Sequence, residues 1–143
     1  LGIISILIGK TTNNRTKMKV YYAHFMGIYD TPAEDRDIKT LEDLGLEVFN
    51  PNTSKIQKEV KVHLEEDGRY DAMFEDVFFK RVRECEIFAF RALPDGRIPG
   101  GVYMELKVAL TEKKLIIELP CGMHSRGMGK DDTREYLKNI GQR

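Results

Sequence analysis

From Met18 onward, short runs of β-forming residues alternate with segments whose apolar residues recur at helical spacing, which predicts strand, helix, strand, helix. Lys19 to Ala23 is short and rich in β-formers, as a buried first strand should be. Thr31-Pro32-Ala33-Glu34 predicts a helix start. Thr31 can cap, Pro32 sits where its missing N–H costs nothing, and Glu34 completes a capping box. Ile38, Leu41 and Leu44 then share one face, and Gly45 is placed to end the helix. Leu46 to Phe49 follows as a second strand, stopped by Asn50-Pro51. Ser54 to Glu66 reads as a surface helix with Ile56, Val60 and His63 or Leu64 at helical spacing, broken at Asp67-Gly68. Tyr70, Met73, Phe74, Val77, Phe78 and Val82 predict an amphipathic helix of about four turns. Ile87 to Phe90 is the third strand and Arg91 to Gly101 a loop; Val102 to Lys113 is the next helix, Leu115 to Leu119 the fourth strand and Asp131 to Ile140 the last helix.

This alternation predicts an α/β fold, a doubly wound parallel sheet of four to five strands with helices on both faces. In such sheets ligands bind beyond the carboxyl ends of the strands, near the reversal in strand order. The places to look are therefore His24 to Asp30, Asn50 to Asn52, Arg91 to Gly101 and Pro120 to Lys130. Residues 18–143 read as a single domain. Residues 1–17 read as an appendage or an extra edge strand: Ile3 to Ile8 is apolar but far below the roughly 20 residues that span a bilayer. It has no basic n-region or small-residue cleavage site, so no signal peptide is expected.

Composition narrows the function classes. The chain of 143 residues balances 23 Lys and Arg against 23 Asp and Glu, so it lacks the electrostatic footprint of a duplex nucleic acid or anionic membrane binder. Cys85 and Cys121 are too few for a disulfide framework, which predicts a reducing, cytoplasmic setting. Cys121 and His124 are two soft ligands where a structural zinc site needs four, so no metal is expected. Ser125 to Lys130 departs from the phosphate-loop pattern, because Asp131 follows the lysine, and reads as a lid or connector. The runs Glu65 to Asp67 and Lys80 to Arg83 read as solvated helix surface, and Phe74, Phe78 and Phe79 divide between core and a dimer face.

Glu105 breaks a local rule. It follows Val102 by three positions and precedes Ala109 by four, which puts a carboxylate on or beside the stripe that faces the sheet. Burying a carboxylate is costly unless it is hydrogen-bonded or has a task. At the mouth of a pocket it can act as nucleophile or base. The plainer alternative is a hydrogen bond to the first helical turn. His24, at the end of the first strand, is either a substrate contact or a structural histidine; Asn50 is either a hydroxyl ligand or a turn former; Tyr103 either stacks on a base or packs.

Gly101-Val102-Tyr103-Met104-Glu105-Leu106, followed by Ala109-Leu110, Lys114 and Leu119-Pro120, resembles the nucleoside 2-deoxyribosyltransferase superfamily, which also contains the nucleoside 5′-monophosphate N-glycosidases. Val20 to Ala23 and Asn50-Pro51 resemble it too. The resemblance covers most of residues 18–120, with its specific part around Glu105. It implies a flavodoxin-like or Rossmann-like sheet, chemistry at C1′ of a nucleoside or nucleotide, no cofactor, and a homo-oligomer. Glu105 takes the place of the family's nucleophile, and Tyr21 or Tyr22 that of a tyrosine positioning sugar and nucleophile. Strand alternation sends those two tyrosines to opposite faces.

The departures point elsewhere for the remaining roles. Where the transferases carry an aspartate that helps protonate the leaving base, this chain has Pro99, and a second family aspartate falls near Phe78. The loop His24 to Asp30 is not the glycine-rich phosphate loop of the hydrolases. Asp76, Asp95 and Asp30 are the substitutes for acid work, and Arg91, Arg97 and Arg126 for phosphate; Met26, Gly100 and Gly101 complete the candidate binding set. The expected activity is N-glycosidic hydrolysis or base exchange. A non-catalytic nucleotide sensor of the same fold is the alternative, and a protein-interaction module built on the aromatic helix is a third class.

Overall fold

A computed structural model describes residues 17–67 and 70–143. The expected appendage or edge strand over residues 1–17 falls, but for its last residue, outside them, as does Gly68 of the expected helix break. Four strands, β1 (Lys19–Ala23), β2 (Glu47–Phe49), β3 (Ile87–Phe90) and β4 (Leu115–Glu118), run parallel in the order β2-β1-β3-β4. The helices are α1 (Pro32–Asp43), α2 (Ser54–Asp67), α3, α4 (Gly100–Thr111) and α5 (Lys130–Asn139). Here α3 is one continuous helix made of Tyr70–Met73, Phe74–Phe79 and Lys80–Glu84. This is the doubly wound α/β arrangement of flavodoxin-like and Rossmann-like folds, and its strand order reverses between β1 and β3.

The central strands are apolar on both sides, as parallel strands covered by helices must be. Tyr21, Ala23, Phe88 and Phe90 pack on one face against Val82, Val102, Leu106 and Ala109 of α3 and α4. Val20, Tyr22, Ile87 and Ala89 pack on the other face with Leu41 of α1 and Leu119. A third cluster, Ile56 with Met73, Phe74 and Val77, joins α2 to α3 beside the first face.

Helix boundaries follow local chemistry, with three departures from the sequence reading. Thr31 caps α1 by accepting the Glu34 N–H, Pro32 opens the first turn, and Gly45 follows the end at φ +83°, a left-handed conformation that favours glycine. The Glu34 carboxylate does not close the capping box. It accepts instead from the Asp30 N–H at 3.1 Å and meets the His24 and Asn52 side chains at 2.6 and 3.1 Å. Second, α4 starts at Gly100, so Gly100 and Gly101 form its first turn rather than the end of a loop; the Pro99 carbonyl accepts the Tyr103 N–H at 2.8 Å and begins the ladder there. Third, the middle of α3, Phe74–Phe79, is π-helical, a widened turn that often borders functional sites. Among the described residues, no helix is long and apolar enough to cross a membrane.

Candidate active site

The end of β1 delivers its two tyrosines to opposite faces, and α4 covers only one of those faces. Tyr21 lies on that side, fully buried and stacked between Phe49 and Phe88 at centroid distances of 5.4 and 5.8 Å. Its hydroxyl donates a hydrogen bond to the Glu105 carboxylate, which is 7% exposed and set one turn into α4. The bond ties the first strand to the helix that the glycine pair opens. Glu105 therefore does not spend its carboxylate on its own helix. Burial pushes its pKa up to about 7, and the Tyr21 hydrogen bond pulls back the other way. The Tyr21 hydroxyl is held well above the ordinary phenol range, first by burial and then by the Glu105 charge, so it remains a donor.

Glu105 lines a cavity of about 390 Å³ at the carboxyl ends of β1 and β3. The loop after β1 supplies His24, Phe25, Met26, Gly27 and Tyr29 to its wall. Pro51 and the α2 residues Ile56, Gln57 and Val60 form the next side. From α3 come Tyr70, Met73, Phe74 and Phe78, and Pro99, Gly101 and Val102 border Glu105. Apolar and aromatic surface thus dominates, with a few polar groups converging, the usual make-up of a small-molecule site.

His24 is held from behind. Its Nε2 lies 2.6 Å from the Glu34 carboxylate, its Nδ1 lies 3.2 Å from the Tyr22 carbonyl, and its ring stacks on Tyr22 at 3.8 Å. Burial lowers its pKa, outweighing the carboxylate and the carbonyl that its two nitrogens face. Glu34 is buried too, which alone would raise its pKa. Hydrogen bonds from His24, the Asp30 N–H and the Asn52 amide outweigh that burial and keep the carboxylate ionised. Tyr29 leans on the His24 ring at 4.8 Å, and its pKa is pushed up to about 12, first by burial and then by the Glu105 charge.

On the other face of the sheet, Tyr22 donates to Asp37 at 2.5 Å, and Arg91 grips the same carboxylate through Nε at 2.5 Å and Nη2 at 2.6 Å. This cluster clamps α1 to the ends of β1 and β3. It faces away from the cavity.

Among the residues singled out from sequence, then, Glu105, Tyr21, His24, Met26 and Gly101 come together, while the others do not. Tyr22 and Arg91 belong to the Asp37 clamp. Asp76 is exposed and pairs with His63 at 3.1 Å on the outer surface of α3. Asp95 is exposed and holds Arg97 at 2.6 Å. Asp30 accepts from the Asn52 amide at 3.0 Å, and Asn50 accepts the Asn52 N–H at 2.9 Å, a turn rather than a ligand contact. Gly100 is exposed at the start of α4, and Tyr103 is 48% exposed beneath the Lys107 ammonium. Arg126 pairs with Glu118.

Sequence reasoning does not single out Tyr29, Glu34 as a histidine partner, or Asp37. For Asp37 the signal exists: it is a carboxylate beside Ile38 and four positions before Leu41, the same irregularity that marks Glu105. Tyr29 carries no such mark. Among the described residues, no cluster of three or more His, Cys, Asp and Glu side chains is arranged to hold a metal ion.

Comparison with known proteins adds no assignment. No family model and no curated protein matches this chain.

Proposed function

We propose that this protein cleaves the N-glycosidic bond of a nucleoside, with Glu105 as the nucleophile at C1′. The observation that carries the reading is the Tyr21–Glu105 pair: a buried carboxylate, titrating near neutrality, at the wall of an apolar cavity where the strand order reverses. A desolvated carboxylate is a stronger nucleophile than a hydrated one, and Tyr21 fixes its direction. Attack of Glu105 on C1′ forms a C–O bond as the C1′–N bond breaks, its electron pair leaving with the base. Water then attacks the same carbon, releases the sugar and restores the carboxylate, so configuration is retained overall. The displacement uses no cofactor.

The cavity favours an uncharged sugar end over a 5′-monophosphate. No lysine or arginine occurs among its described lining residues. The arginines that would serve phosphate are engaged elsewhere, Arg91 with Asp37, Arg97 with Asp95 and Arg126 with Glu118. Hydrolysis is favoured over transfer by Pro99 at the position of the transferase acid. The resemblance also implies an oligomer, in which a second copy would border the exposed rim at Met26 and Tyr70. One observation favours the sensor reading instead: among the described lining residues, Glu105 is the only carboxylic acid, which leaves an ordinary base without an acid to protonate it.

The test is a panel of nucleosides and 5′-monophosphates, ribo and deoxy, incubated with protein and with its Glu105→Gln variant, reading free base by chromatography. Base release that vanishes in the variant is expected. Undiminished release by the variant, or intact binding with no release from any substrate, overturns the reading.

A further inference from the structure

We infer that the cavity selects nucleosides whose base already carries a positive charge, that is, N-alkylated bases, which depart as neutral molecules without needing an acid. The inference rests on the N-glycosidic reading and names its substrate class. Three features of the cavity carry it.

The first is charge. Among the described lining residues Glu105 is the sole carboxylate, there is no lysine or arginine, and burial lowers the pKa of the His24 imidazole, so the walls favour negative over positive charge. The second is the nature of the remaining wall. Phe25, Tyr29, Tyr70, Phe74 and Phe78 bring aromatic rings to it from the β1 loop and α3, with the thioethers of Met26 and Met73 between them. Aromatic faces attract cations, most strongly where water is excluded, and thioethers fit them without competing charge. The third is the acid that is missing. Pro99 stands where the resemblance places a proton donor; Asp76 and Asp95 are exposed and paired away from the cavity; and the Tyr29 phenol, pushed up to about 12, is a poor acid. His24 has both ring nitrogens turned to Glu34 and the Tyr22 carbonyl, so an unmodified base would have to leave as an anion or take its proton from a phenol or from solvent.

An alkylated base removes that demand. Glu105 gives an electron pair to C1′, and the C1′–N pair moves into the cationic ring and neutralises it. The carboxylate charge and the base charge disappear together, leaving a neutral glycosyl ester and a neutral base. Water then attacks C1′, its proton passes to solvent, and the carboxylate is regenerated. The same cation explains how a carboxyl that titrates near neutrality is ionised for attack. A positive charge seated beside Glu105 favours its charged form, and Glu105 offsets the cost of taking that charge out of water. The titratable groups facing Glu105 are Tyr21 and Tyr29, both neutral phenols, with the His24 imidazole on the same wall, its pKa lowered by burial.

The experiment compares 7-methylguanosine and its 2′-deoxy counterpart with guanosine and 2′-deoxyguanosine, at mildly acidic pH where N1 keeps its proton. Base release is read by chromatography, and binding is read by calorimetry on the protein, on Glu105→Gln and on Phe78→Leu. The expected result is binding of the methylated pair at least about tenfold tighter than of the unmodified pair, a margin that cation–π contact and one charge pair readily supply, with faster base release beside it. Glu105→Gln should lose that preference in binding, and Phe78→Leu, which removes one aromatic face from the wall, should reduce it. With the cationic substrate the acid limb of kcat should lie below that of kcat/KM, because only the complex contains the cation. Equal or faster release from the unmodified nucleosides overturns the inference and leaves the N-glycosidic reading standing. Preferred binding of the methylated nucleosides with no release from any substrate supports the cation-selective cavity and overturns that reading. Neither binding nor release overturns both.

Discussion

Glu105 and Tyr21 set the chemistry at the scale of single residues, and pH is the lever that reports on them. A nucleophilic Glu105 must be ionised, so kcat/KM for a neutral nucleoside should rise with pH and level off above about 7. Tyr21→Phe removes the hydrogen bond that favours the ionised form, and should move that limb to higher pH while lowering the plateau about tenfold or more. Stability carries the opposite sign. The folded-state pKa of about 7 lies above the unfolded value of 4.5, so the folded chain keeps a proton that the unfolded chain gives up. That contribution is full below the unfolded value, falls through the interval and is gone above about 7, a loss on the order of 3 kcal/mol. Glu105→Gln escapes it, and its urea midpoint should gain on the parent protein's between about pH 5 and about pH 8. Of this pair, only Glu105 is legible in the sequence, because a carboxylate on an apolar stripe is irregular whatever the fold. Which of Tyr21 and Tyr22 meets it is not legible, since alternation separates the two faces without saying which one α4 covers.

Elements carry the site into position, and their ends do most of that work. The strands and α1 could be read from β-forming runs, capping residues and Gly45 because those signals are local. The π-helical middle of α3 and the start of α4 at Gly100 were not legible. The first depends on packing against α2, and the second on a proline carbonyl opening a helical turn through two glycines. A second element-scale constraint joins the loop after β3 to the loop after β4. Gly122 sits at φ +63°, and a Cβ there would lie 2.0 Å from the Pro94 carbonyl oxygen. Backbone is not free to yield like the end of a long side chain. Gly122→Ala should therefore cost about 2–3 kcal/mol in urea denaturation, combining left-handed strain with overpacking. Because Pro99 lies further along the same β3 loop, the variant should also weaken ligand binding.

Across the whole molecule, two polar clusters on opposite faces of one sheet divide the labour. One contains Glu105 and opens on the cavity; the other, Tyr22 with Asp37 and Arg91, locks α1 to β1 and β3. Asp37→Ala would strand a half-buried guanidinium and a buried phenol together, and a loss of about 3 kcal/mol or more is expected from urea denaturation. Replacing Asp37 by Leu and Arg91 by Met at once should recover much of it, because neither charge is then left unpaired. The sequence by itself determined the alternating elements, the parallel doubly wound class and the oddity of Glu105, since periodicity, capping chemistry and the cost of a buried charge act over a few residues. Only the tertiary structure decided that Tyr21 meets Glu105, that Arg91 is claimed by Asp37, and that aromatic side chains of α3 and the β1 loop wall one cavity. Those are contacts between residues far apart in the chain, and they depend on strand order and on which helix lies over which face, information that no local pattern contains.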